Sequence, residues 1–203
     1  LTFGTRNVMI EETIKRLRQK LPAENIFLVT TKKQYPSLRP YTSSLKKANI
    51  ILEPEGKDTA AAVCLAAFII KKRFGNKVMV VLPADHIIKD SRVFFKDIEA
   101  AKKIAVSGAG MVTIGVKPKY PSVGYGYIET GKNLGGYYAL KRFIEKPGKK
   151  TAEKFYKQKN FLWNSGVFIW NTDAILTELK KYMPDLYYSI EDAIEIEGEK
   201  GYS

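Results

Sequence analysis

The sequence predicts an α/β fold, a Rossmann-like and mostly parallel sheet flanked by helices. Two observations carry this. Through the first half of the chain, short apolar runs alternate with segments of helical spacing. The runs are apolar at consecutive positions, as strands covered by helices on both faces are. A chain of 203 residues is also long enough to bury one sizeable core.

Each element follows in order. Ile10, Ile14, Leu17 and Leu21 recur at helical spacing, and Pro22 stops that helix. Ile26-Phe27-Leu28-Val29 predicts a strand, followed by a polar turn and a helix over residues 35–47. Ile50-Ile51-Leu52 predicts the next strand, halted at Glu53-Pro54. Asp58 or Thr59 then caps an alanine-rich helix that runs to Phe74 and ends at Gly75. Val78 to Leu82 is the strongest strand, and a helix from Ser91 to Val106 leads to a strand at Met111–Ile114. Beyond it, Tyr125–Thr130 and Tyr137–Ile144 predict two strands joined by a glycine-rich turn at Gly131–Gly136. A helix at Thr151–Lys159, a strand at Val167–Trp170 and helices at 172–181 and 185–196 complete the chain.

Composition narrows the function classes. Hydrophobic residues at 45% and charged residues at 27% describe a folded chain, not a disordered one. No apolar run approaches the roughly 20 residues that span a membrane, and Leu1–Arg6 carries no signal-peptide pattern. Cys64 is the only cysteine, which precludes an internal disulfide and points to a reducing cytoplasm. A net charge of +13 raises the question of nucleic acid. The lysines, however, fall as scattered pairs (Lys32-Lys33, Lys46-Lys47, Lys102-Lys103, Lys180-Lys181), the pattern of solvated surfaces, so no nucleic-acid partner is expected.

In parallel sheets, ligands bind beyond the carboxyl ends of the strands, which directs attention to Glu53-Pro54 onward and to Pro83-Ala84-Asp85-His86. The Asp85 carboxylate suits Mg²⁺, a cation that keeps several waters and uses substrate phosphates as further ligands. It equally suits an ordinary turn. His86, the only histidine, has no Cys/His cluster for zinc and no partner for nucleophilic catalysis. In Glu53–Ala62, small residues at a helix N-terminus leave backbone N–H groups open to a flat base, and the Thr59 hydroxyl can donate and accept. The alternative is a loop, a cap and a closely packed helix.

Three further groups lie in the second half. Gly124 and Gly126, in Pro121–Ile128, admit either a bend or a ligand laid against the backbone. In Phe143-Ile144-Glu145-Lys146-Pro147, Glu145 can accept from sugar hydroxyls and Lys146 can neutralise a phosphate; otherwise they are a charged strand end. In Trp163-Asn164-Ser165-Gly166-Val167-Phe168, Asn164 offers a donor and an acceptor to vicinal hydroxyls, and Gly166 leaves room for a ring. The same triplet reads as a turn before a strand.

Taken in order, these groups resemble the nucleoside-diphosphate-sugar pyrophosphorylases, from about Val8 to the C-terminus. Val81-Leu82-Pro83-Ala84-Asp85-His86 is similar to that family's metal-binding segment. Gly124–Ile128, Phe143–Pro147 and Trp163–Gly166 resemble its sugar-binding segments, and Glu53-Pro54 with Asp58-Thr59-Ala60 resembles the base-side motif of its mannose-1-phosphate guanylyltransferase branch. The resemblance implies the nucleotide-diphospho-sugar transferase fold over residues 1–203, with a nucleotide-binding half at 1–116 and a sugar-binding half at 117–203 around one cleft. It implies Mg²⁺-dependent transfer from GTP to mannose 1-phosphate, giving GDP-mannose and pyrophosphate. Asp85 would bind the metal, Glu53, Pro54, Thr59 and Ala60 the guanine, and Gly126, Glu145, Asn164 and Gly166 the mannose. Lys146 would take the sugar phosphate, with Asp85 and Lys146 as the catalytic pair. No membrane partner is implied, and a homodimer is allowed.

The family's Gly-rich basic loop and its second metal-binding aspartate have no counterpart here. They are expected upstream of Leu1 and beyond Ser203, and residues 1–203 alone are expected to make no product. The rival readings are another sugar-1-phosphate nucleotidyltransferase, for instance one using glucose 1-phosphate, and a non-catalytic nucleotide-sugar-binding regulator on the same fold.

Overall fold

The structure, a computed structural model, describes residues 8–56, 58–108 and 110–199. Leu1–Arg6, Lys57 and Gly201-Tyr202-Ser203, all used in the sequence reading, lie outside them. The chain forms two compact units: Leu1–Met111 with Ile169–Ser203, and Val112–Phe168. These units divide after Met111, and the C-terminal helices return to the first unit.

In the first unit, α1 (Met9–Arg18) places Glu11 and Glu12 in its first turn and basic residues in its last, which complements the helix dipole. It ends three residues before the expected Leu21, because Pro22 disfavours the helical conformation in the residue preceding it. Ile10 and Ile14 pack with Ile26 and Leu45. Ile26 is thereby drawn into this cluster, and β1 starts later than expected, at Leu28–Thr31. The helix expected over 35–47 is only α2 (Tyr35–Leu38) followed by 3₁₀ turns at Arg39–Tyr41 and Lys47–Asn49. Pro40 lacks the N–H that a continuing helix requires. β2 (Ile50–Glu53) runs parallel to β1, with Leu28 opposite Ile50 and Thr31 opposite Glu53.

The alanine-rich α3 (Thr59–Phe74) ends at Gly75, whose φ of 74° only glycine adopts at little cost. Asp58 occupies its N-cap position without a side-chain capping bond, and Thr59 is already helical. Neither supplies the expected cap. β3 (Val78–Val81) follows, then α4 (Ser91–Val106), which has the expected bounds. The Asp90 carboxylate caps α4, accepting from Arg92 N at 2.9 Å and Val93 N at 3.2 Å.

The second unit holds β4 (Val112–Val116), β5 (Tyr127–Asn133), β6 (Tyr138–Ile144), α5 (Lys149–Lys157) and most of β7 (Phe161–Asn171). β5 is antiparallel to both β6 and β7, and β4 pairs with β7. Tyr127, Ala152, Phe155, Phe161 and Trp163 form the core here. The rings of Phe155 and Phe161 stack at 4.0 Å and 9°. β7 begins six residues before the expected Val167, so Asn164-Ser165-Gly166 is strand and not turn. Asn164 N donates to Gly126 O at 2.8 Å and Ser165 Oγ to Ile114 O at 2.7 Å, which ties the triplet to β4 and to the start of β5.

From Ile169 the chain is back in the first unit and continues as α6 (Thr172–Tyr182) and α7 (Pro184–Glu199). Both pack on α3, where Phe68 meets Tyr187 at 5.0 Å. Fully buried Thr172 donates its N–H to Lys77 O at 2.9 Å, and its hydroxyl accepts from Lys77 N at 3.1 Å.

Two buried polar side chains give stability predictions. Asn49 Nδ2 lies 3.1 Å from Ala23 O, 2.9 Å from Glu24 O and 3.0 Å from Ile26 O, its two protons shared among the three carbonyls, and ties the approach to β1 to the approach to β2. Asn49→Ala is expected to cost roughly 2 kcal/mol by stranding those carbonyls. Urea unfolding should show a lower midpoint at unchanged slope; an unchanged midpoint would mean that water replaces the amide.

Glu129, buried on β5, is held by Lys141 at 2.9 Å and Arg142 at 2.7 Å from β6. Hydrogen bonds from Lys141, then Arg142, draw its carboxyl below the usual 4.5. Its stabilisation is therefore present above the unfolded value and lost as pH falls through the lower folded value. Stability should decline on acidification below about 4.5, and Glu129→Gln should flatten that part of the profile in pH-dependent thermal melts.

Candidate functional site

The candidate residues of the first unit stand at strand carboxyl ends. Glu53 closes β2 opposite Thr31, and Lys32 N donates to Glu53 O at 2.9 Å, so the ends of β1 and β2 are locked side by side. Burial raises the Glu53 carboxyl above its usual value. The following loop turns back closely: a Cβ on Gly56 would lie 3.3 Å from Thr31 Cγ2. Pro54 is exposed, as is Thr59 at the first position of α3, and Ala60 is half-buried behind it.

Asp85 is exposed, four residues past the end of β3. Its loop is tied to α1 by the Thr13 hydroxyl, which donates to Ala84 O at 3.1 Å. Thr59 and Ala84 line one cavity of about 1310 Å³, walled by apolar residues of α1, β1, α3, β3 and α4. The structure thus brings the start of α3 and the Asp85 loop to one space, while Glu53, Pro54, Ala60 and Asp85 are not among its lining. Among the described residues, no group of three or more His, Cys, Asp or Glu side chains is placed to hold a metal. A single exposed carboxylate does fit Mg²⁺, which takes most of its ligands from water and phosphate.

In the second unit, three candidates meet. Tyr127 is paired with both Ile144 and Trp163, so Gly126, Glu145 and Asn164 are neighbours at one end of three adjacent strands. Asn164 N donates to Gly126 O at 2.8 Å. A Cβ on Gly126 would lie 2.9 Å from Glu145 Oε2 and 3.1 Å from the Phe143 ring, so glycine is what lets the Glu145 carboxylate lie over this strand. Glu145 and Lys146 are exposed, with Lys146 Nζ 3.8 Å from Glu145 Oε1. Lys146 has a φ of 34°, in the left-handed region. Such backbone costs about 1–2 kcal/mol and turns the side chain out of the strand's alternation. Pro147 behind it is buried. Gly166, at φ 70°, takes the same region without a Cβ.

Around these residues lie others that the sequence reading did not single out. Tyr120 and Tyr125 pack on Trp163 at 4.9 and 5.0 Å. The Tyr127 hydroxyl donates to Ser122 O at 2.9 Å and shapes the loop leading to Gly126. The Ser165 hydroxyl donates to Ile114 O at 2.7 Å, and Thr113 lies beside Asn164. Thr113 and Ile114 were legible only as strand residues, because their partners lie about fifty positions away.

Comparison with known proteins shows the family. A nucleotidyl transferase family model matches residues 1–202. A mannose-1-phosphate guanylyltransferase from Escherichia coli is 40% identical over 154 residues, 72% of this chain and 33% of that protein. The structure of a mannose-1-phosphate geranyltransferase from Thermus thermophilus superposes with a TM-score of 0.84 at 29% identity, covering 93% of this chain and 55% of that one. That of a mannose-6-phosphate isomerase from Helicobacter pylori gives 0.81 at 32% identity, covering 96% and 73%. The chain spans about a third to two fifths of the length of the curated relatives it matches.

Proposed function

On the premise that this chain belongs to the nucleotidyl transferase family, we propose that it transfers GMP from GTP to mannose 1-phosphate, giving GDP-mannose and pyrophosphate. The observation that carries the reading is the meeting of Gly126, Glu145 and Asn164, an acceptor and an amide over open backbone, as a polyhydroxylated ring requires. Its likeness to a mannose-1-phosphate guanylyltransferase supports the choice of sugar and base.

In this reading Glu145 and Asn164 bind the mannose hydroxyls, Gly126 and Gly166 leave room for the ring, and Lys146 neutralises the sugar phosphate. Glu53, Pro54, Thr59 and Ala60 surround the guanine. A partly desolvated Glu53 carboxylate gains from the N–H donors that guanine carries and adenine places differently. Asp85 holds Mg²⁺, which supplies charge neutralisation on the triphosphate when bound. The sugar phosphate oxygen is already ionised at neutral pH. It bonds to the α-phosphorus as the α–β bridging bond breaks and pyrophosphate leaves, so the chain's task is positioning and charge neutralisation, not proton removal.

We place the activity in the cytoplasm. Among the described residues no helix is long and apolar enough to cross a membrane. The buried Cys64 thiol, pushed up to about 11 by burial and then by Glu191, stays protonated and inert.

The test is pyrophosphate release by the full-length protein with GTP, Mg²⁺ and mannose 1-phosphate. Asn164→Ala should raise the KM for mannose 1-phosphate at least about tenfold and leave that for GTP unchanged. Asp85→Asn should fold normally and lower kcat by about two orders of magnitude or more. Faster turnover with glucose 1-phosphate or with another nucleoside triphosphate would overturn the assignment of substrates.

A further inference from the structure

We infer that Thr113 is the residue that positions Asn164, and that Asn164 meets its ligand purely as a hydrogen-bond donor; this rests on the sugar-binding reading of Asn164. Gly166 N lies 3.1 Å from Asn164 Oδ1. A backbone N–H can only donate, so the amide atom facing it is the oxygen; a flipped amide would set two donors against each other. The Thr113 hydroxyl reaches the same oxygen at 3.3 Å and Val167 O at 3.1 Å, its one proton shared between two acceptors.

The bond from Gly166 is local, two residues along the same strand, and alone would let the amide pivot about its oxygen. Thr113 belongs to β4, which pairs with β7, and so holds the carboxamide from a second direction. At the next residue, Ser165 Oγ donates to Ile114 O at 2.7 Å and fastens the same two strands. With Oδ1 engaged twice, the NH₂ group is directed away from this cradle, and Nδ2 has no partner among the described residues. An amide NH₂ donates two bonds and accepts none, so the groups it recognises are lone-pair oxygens of a sugar hydroxyl or phosphate. The strand itself does not require a hydroxyl at this position, since valine has the same shape and suits a strand as well.

The experiment uses the full-length protein and calorimetric titration with mannose 1-phosphate and, separately, GTP. Thr113→Val should weaken mannose 1-phosphate about tenfold without moving GTP, and Thr113→Ser should restore most of the loss. In an Asn164→Ala background, Thr113→Val should have no further effect, because it acts through the missing amide. Additive losses would identify a general structural effect and overturn the inference. Wild-type sugar affinity in Thr113→Val beside a loss in Asn164→Ala would also overturn it, and the sugar-binding reading would stand. Unchanged affinity in Asn164→Ala would remove that reading and this inference with it. Asn164→Asp keeps the shape but has no N–H, and retained sugar affinity there would overturn the donor assignment. Should Thr113→Val not fold, Thr113→Ala lacks the same hydroxyl and carries the same comparison.

Discussion

The hydrogen bond from Asn164 N to Gly126 O sets the register on which the second unit depends. A strand slipped by one residue presents every side chain to the opposite face. With Tyr127 opposite both Ile144 and Trp163, the tyrosine and tryptophan enter the core, while Gly126, Glu145 and Asn164 meet at the strand ends. The same register puts Glu129 next to Arg142, so its carboxylate is neutralised where it is buried. A register slipped by one residue would turn Tyr127 out of the aromatic core and take Glu129 out of line with Arg142.

Local features of this unit are subordinate to that pairing. The left-handed backbone at Lys146 is unfavourable by itself and persists between a paired β6 and a buried Pro147. Gly126 tolerates the Glu145 carboxylate at a distance no Cβ would allow. In the first unit, the parallel pairing of β1 with β2 brings Thr31 and Glu53 level, and Asn49 secures the turns that lead into both strands. Candidate residues there stand at the end of β2, in the loops after β2 and β3, and at the start of α3.

Legibility differed by element. α3 and α4 could be read almost to the residue, and Gly75 ends α3 as a local signal with a local cause. The helix expected over 35–47 gives way to turns, since Pro40 has no N–H with which to continue it. Asn164-Ser165-Gly166 has the composition of a turn and is strand, because pairing with neighbours distant in sequence outweighs a weak local preference. The return of α6 and α7 to the first unit has the same origin: their contacts with α3 join segments a hundred residues apart.

The sequence by itself determined the fold class, the type of most elements and the chemical groups on offer: the carboxylates Glu53, Asp85 and Glu145, the amide of Asn164, the charge of Lys146 and the glycines beside them. These follow from propensity, periodicity and composition, which act over a few residues. Only the tertiary structure decided which of them meet. Gly126, Glu145 and Asn164 are separated by about twenty residues each and become neighbours through antiparallel pairing. Thr113 reaches Asn164 across 51 positions, and Thr13 reaches Ala84 across 71. Such contacts have no local signature, because their free energy comes from packing and pairing that exist only once the whole chain has folded.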